Sequence, residues 1–232
     1  MSIWSRVTHA VQDVTTAGAD LVERVVETVA GTEEERRAVA FTAAIVALAA
    51  KMAKADGVVT TEEVAVFWRN VQIPAGEERN IDRLFRLAQQ DVAGFESYAE
   101  RIARLFQDDH AFLVDILDVL FRIAAADGIV HEHELGFLER VAEIFGIEEL
   151  EFRRLKARHI REGAIDPYLV LGIDPDADPD ALRQQYRKLV IEHHPDRMIA
   201  RGVPPEFVEI ANDRLAAINA AYEQIRRERG IR

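Results

Sequence analysis

Proline is confined almost wholly to one end of this chain. Pro74 is the only proline before residue 167, and the other six fall between Pro167 and Pro205. Proline removes a backbone donor and breaks a helix interior. The long proline-poor stretch can therefore be near-continuous helix, while the C-terminal part must consist of shorter pieces between turns. No run alternates apolar and polar residues between turn residues as a half-buried strand would. The expectation is an all-α chain, a helical bundle with an internal repeat followed by a helical-hairpin module. Its parts are an amphipathic N-terminal segment (1–31), a helical body (32–160), a linker (161–165) and the C-terminal module (166–232).

A chain of 232 residues with 49% hydrophobic content can bury a substantial core. It has no cysteine, which excludes disulfides and thiolate metal sites and fits a reducing compartment. The net charge of −12 is uneven: residues 166–232 carry 10 Lys+Arg and 12 Asp+Glu, the rest 19 and 29. So acidic a body repels phosphates and argues against a nucleic-acid partner. The longest uncharged run, "AVAFTAAIVALAA" at 38–50, is too short for the roughly 20 apolar residues of a membrane span. The N-terminus lacks a secretory signal pattern, so a cytoplasmic protein is expected.

Trp4, Val7, Val11, Val14, Gly18, Leu21 and Val25 recur by three and four along the first segment. Such a stripe can pack on the body, pair with a second copy, or lie on a membrane surface. The acidic polar face (Asp13, Asp20, Glu23 and Glu27 against Arg6 and Arg24) weighs against the last. Thr32 and Glu35 have capping-box spacing, which predicts a helix from there to Asp56. Pro74 and Gly76 interrupt the next, and further helices are predicted over 77–90, 95–107, 110–126, 132–145 and 148–160.

The body repeats itself. "KMAKADGVVTTEEVAVF" (51–67) aligns with "RIAAADGIVHEHELGFL" (122–138), pairing Asp56-Gly57 with Asp127-Gly128 and Glu63 with Glu134. Each copy reads as helix, Asp-Gly turn, helix. Over about residues 35–160 this doubled "ADG(V/I)V…E" signature resembles the TerB-like (tellurite-resistance) helical domain. The resemblance implies divalent-cation binding by acids at these turns, here Asp56, Glu63, Asp127 and Glu134. Helix punctuation accounts for the same residues: Gly57 and Gly128 as left-handed caps, Thr60 with Glu63 as a capping box. No other cofactor is expected.

In the C-terminal module, Asp166 and Asp178 each stand before a proline, as an N-cap before a first-turn proline does. "PDALRQQYRKLVIEHH" is then a helix burying Leu182, Tyr186, Leu189 and Val190, with Arg183, Arg187 and Lys188 on its other side. A third helix starting near "PPEF" carries Phe207, Ile210, Ala211, Leu215, Ile218, Ala221, Tyr222 and Ile225, with 195–203 as the connection. Proline disfavours helical geometry in the preceding residue, so the second helix ends near His193 with His194 extended. Pro195 stiffens the bend and holds Asp196 outward. A stiff charged bend loses little entropy on docking. It fits an interaction epitope better than an active site, because no serine or cysteine nucleophile lies nearby, and the chain is not read as an enzyme.

The ordered pattern "DPYLVLGI", "LRQQYRKLVIEHHPDR" and "INAAYEQI", over about 60 residues, resembles a J domain, the DnaJ-type co-chaperone module. The connection is longer than in the commonest J domains, and Leu215 stands where an aromatic is usual. With the TerB-like body, this form resembles the DjlA/DjiA-type bacterial co-chaperones, some of which are anchored at the inner membrane; this chain has no transmembrane helix to carry that over. The resemblance implies stimulation of the ATPase of a DnaK-type heat-shock chaperone. His194, Pro195 and Asp196 are then the trigger, Tyr186, Arg187 and Lys188 the docking helix, with Arg183 assisting. It leaves the body to target or select client proteins. The alternative is a metal-responsive or envelope-stress scaffold that recruits chaperone.

Overall fold

A computed structural model describes residues 6–7, 21–29, 31–54, 78–90, 94–125, 128–160 and 166–231, and among them every regular element is helical. The reciprocal cap at Thr32 forms: Thr32 N donates to Glu35 Oε2 at 2.9 Å, and Glu35 N donates to Thr32 Oγ1 at 3.2 Å. From it runs the central helix of the body, Glu33–Lys54, with residues 39–50 buried on every side. Six alanines in that run (40, 43, 44, 47, 49 and 50) let neighbouring helices approach closely. We number the helices α1 (Leu21–Thr28), α2 (Glu33–Lys54), α3 (Glu78–Gln90), α4 (Phe95–Leu105), α5 (His110–Ala124), α6 (Glu132–Phe145) and α7 (Glu149–His159). Helices α1, α3, α4 and α5 pack around α2, and α5 in turn carries α6 and α7.

Of the three uses open to the N-terminal stripe, the described residues take the first. Val7, Leu21, Val22 and Val25 are buried in the body's core. Arg6 pairs with Glu35, and Glu23 accepts from Arg101 at 2.9 Å. Trp4, Val11, Val14 and Gly18 lie outside the described residues. So does the first repeat copy beyond Lys54. In the second copy α5 ends at Ala124, Gly128 takes φ +92°, and α6 begins at Glu132.

The C-terminal module begins with α8 (Pro167–Leu171) and α9 (Pro179–Glu192). Asp166 Oδ1 accepts from Tyr168 N, and Asp178 Oδ1 accepts from Asp180 N and Ala181 N, both at 2.8 Å. Residues 195–203, expected to be a plain connection, hold a further helix, α10 (Pro195–Ala200). A single 3-10 turn (Pro205–Phe207) then leads into α11 (Val208–Arg229). The module's own core is Val170, Leu171, Leu182, Leu189, Ile218, Ala221 and Ile225. Tyr186 and Val190 lie only half-buried at its edge.

The two parts meet through the long connection. Met198, Val203, Phe207, Ile210 and Ala211 belong to the body's core cluster, not to the module's. The Phe207 ring sits edge-on to Phe41 of α2, centroids 5.2 Å apart. Gly202 has φ +91°, and a Cβ there would lie 2.6 Å from Arg37 Cβ, so both its conformation and its closeness to α2 call for glycine.

Candidate partner-docking site

His194, Asp196, Arg187 and Lys188 fall on one exposed corner of the module. α9 ends at His193, whose N–H donates to Leu189 O, and His194 is extended at φ −65°, ψ 137°. His194 is itself the N-cap of α10: its Nδ1 accepts from Asp196 N at 3.2 Å. With Nδ1 an acceptor, the neutral ring carries its proton on Nε2. The His194 side chain is 50% exposed and that of Asp196 86%. Pro195 at the first helical position fits its fixed φ. The bend is thus a capped helix start, which sets the direction of Asp196 more firmly than a loop would.

Beside it runs the outer face of α9. Arg187 and Lys188 are exposed, and neither has an ion-pair partner among the described residues. Arg183 is engaged with Asp180 one turn earlier at 2.7 Å, an exposed pair of the kind worth little. Ile191 is exposed on the same face. Tyr186 faces inward instead. Its ring stacks on Tyr222 at 4.0 Å, and its hydroxyl donates to Asn219 Oδ1 at 2.9 Å, fastening α9 to α11.

The metal candidates have a different fate. Asp56, Glu63 and Asp127 lie outside the described residues. Glu134 Oε2 accepts from His131 N at 2.9 Å, the helix-capping use that the spacing allows. Among the described residues no group of three metal-ligating side chains comes together.

Under the His194–Asp196 bend lies a cluster that the sequence does not announce. Asp115 and Asp118 of α5, in the apolar helix "HAFLVDILDVLFRIA", are each 1% exposed, as is Arg214 of α11. Arg214 donates to Asp115 Oδ1 from Nη1 at 3.0 Å and to Asp118 Oδ2 from Nε at 2.9 Å, with Nη2 on Asp118 as well. Arg201 Nη2 donates to Asp115 Oδ2 at 2.6 Å, and Arg158 and His159 of α7 reach Asp118 Oδ1. Arg214 Nη1 also donates to His193 Nδ1 at 3.0 Å, one residue before the bend. Burial alone would raise the Asp118 carboxyl, but the Arg214 and Arg158 charges and the His159 hydrogen bond hold it well below the usual carboxylate range. Burial, then the Arg214 and Arg158 charges, push His193 down to about 2, so its ring stays neutral. Two acids three apart inside an otherwise apolar helix were the available signal, since buried charges need partners.

Two protein families match the chain: tellurite resistance protein TerB over residues 42–157 and the DnaJ domain over 166–230. The co-chaperone protein DjlA of Photobacterium profundum is 31% identical over 86% of this chain and 81% of that relative. The chain belongs to the DjlA co-chaperone family. The DjlA of Aliivibrio fischeri is 29% identical over 87% of the chain and 83% of that relative, and the DjlA of Escherichia coli is 31% identical over 50% and 51%. No solved structure matches the chain. Membership makes this DjlA-family chain a co-chaperone in class rather than a member of an enzyme family. Among its described residues no helix is long and apolar enough to cross a membrane.

Proposed function

We propose that this chain acts on a DnaK-type heat-shock chaperone and stimulates its ATP hydrolysis, with His194, Pro195 and Asp196 as the trigger. The observation that carries the reading is the pairing of an outward Asp196, held at a capped helix start, with the exposed cations Arg187 and Lys188 on the adjoining helix. The cationic face steers association with an acidic surface of the chaperone. Asp196 then engages a chaperone arginine in a charge-assisted hydrogen bond. The trigger donates no catalytic group; it favours the chaperone conformation in which hydrolysis proceeds. The TerB-like body places or selects client proteins.

Single-turnover ATP hydrolysis by a purified DnaK-type chaperone, with and without this chain, tests the reading. Asp196→Asn is expected to lose at least tenfold of the stimulation, about 1.4 kcal/mol in barrier, with helicity and melting temperature unchanged. Full stimulation by that variant refutes the role of the trigger.

A further inference from the structure

The segment bearing the trigger packs on α11 but takes no part in the module's own core cluster. The module's core draws on α8, α9 and the part of α11 from Ile218 onward, with nothing from 194–211. The anchors of that stretch, Met198, Val203, Phe207, Ile210 and Ala211, all sit in the body's core. Polar contacts grip the same stretch at both ends. In front, His193 rests on Arg214, which is locked between Asp115 and Asp118. Behind, the Arg201 guanidinium meets Asp115, and its carbonyl accepts from Arg37 Nε of α2 at 2.7 Å. None of this covers the trigger: His194 and Asp196 stay exposed, and so do Arg187 and Lys188. A contact that fixes a loop from below and leaves its active edge open positions that loop; it does not mask it.

We infer that the TerB-like body holds the trigger segment in its working conformation, with Asp115 and Asp118 as positioning residues acting through Arg214 and Arg201. This rests on the proposed chaperone reading for its functional consequence, though not for its structural content. Removing one partner from a buried cluster of this type leaves an uncompensated buried charge, so the arrangement it fixes is disturbed. If it is broken, the trigger samples other conformations, and the apparent affinity for the chaperone falls by the fraction that remains competent.

The test uses the full chain and two variants. Arg201→Gln removes the guanidinium contact with Asp115 at the rear from a partly exposed position, leaving the backbone bond to Arg37, and Asp118→Asn removes charge from the front while keeping shape. Amide hydrogen exchange is measured on each, alongside single-turnover ATP hydrolysis by a DnaK-type chaperone over a range of chain concentrations. Exchange is expected to rise about tenfold or more at residues 196–203 and to stay as in the wild type at Leu182–Leu189 of α9. The concentration for half-maximal stimulation is expected to rise about tenfold, with the maximal rate retained. Asp118→Glu, which keeps the charge, is expected to recover part of both. Unchanged exchange at 196–203 in both variants overturns the proposal, as does faster exchange spread evenly through α9 and α11, which marks a purely structural role. A wild-type chain that fails to stimulate refutes the chaperone reading, and the exchange measurement still decides the positioning.

Discussion

His193 is a plain residue next to a conspicuous one, and its surroundings make it the more consequential for pH. Arg214 of α11 faces its Nδ1, with Arg158 of α7, Asp118 of α5 and Arg201 after α10 close by, and Glu151 and Arg154 of α7 line the same small cavity. Burial and these guanidiniums keep the ring neutral, so its folded pKa lies below the value near 6.5 of an unfolded histidine. As pH falls through 6.5 the unfolded chain takes up a proton that the folded chain refuses. Stability is therefore present above that pH and lost below it, by up to about 1.4 kcal/mol per pH unit for one proton. Asp118, also depressed, adds its loss only below about pH 4, where an unfolded aspartate protonates. Urea denaturation at pH 7 and pH 5 is expected to reveal the drop, and His193→Asn, which keeps an acceptor and cannot titrate, is expected to flatten it. An equal drop in that variant would place the titrating group elsewhere. Residue chemistry of this kind was only half legible in the sequence. The bend at His194 could be read from Pro195, because proline's backbone restriction is local. The need of Asp115 and Asp118 for partners was readable, but those partners stand 40 to 99 residues away, and no local rule names them.

At the scale of elements, local chemistry predicted well wherever a helix had its own signals. The caps at Thr32, Asp166 and Asp178 all form, and α3 to α7 begin within one residue of the expected starts. α10 escaped because six residues with a single buried side chain, Met198, give no periodicity, and so short a helix draws its stability from tertiary packing. Tyr186 is half-buried, as its place in the apolar stripe of α9 implies, and its stacking on Tyr222 leaves Arg187 and Lys188 as the free charge of the outer face. Reversing both, Arg187→Glu with Lys188→Glu, is expected to weaken chaperone docking at least tenfold in low salt, since like charges then meet across the contact. It is also expected to remove the fall in stimulation as salt is raised, because screening then relieves repulsion instead of weakening attraction. A salt titration of half-maximal stimulation reads both effects, and an unchanged slope would put the contact on another face.

The whole molecule departs furthest from what a linear reading suggests. A five-residue linker at 161–165 invites a picture of two independent units, and composition supports it, because proline content changes there. In space the longer connection folds back, and the front of α11 completes the body's core through Phe207, Ile210 and Ala211. Sequence periodicity identifies these as apolar helix positions but cannot say which of two cores receives them. Phe207 decides between the pictures. It is almost fully buried and packs edge-on against Phe41 at the centre of the body. Truncating a buried phenylalanine costs about 3–5 kcal/mol through lost burial and the cavity left behind. If the units were independent, Phe207→Ala would leave amide exchange in α2 and α5 as in the wild type and disturb only the C-terminal module. With the shared core, the loss falls on the body: exchange at residues 39–50 of α2 is expected to accelerate at least tenfold, while Leu182 and Leu189, in the module's separate core, change less. Protection of α2 that survives this substitution would mean that the body closes its core without the trigger segment, and the coupling between body and trigger would then have no apolar basis.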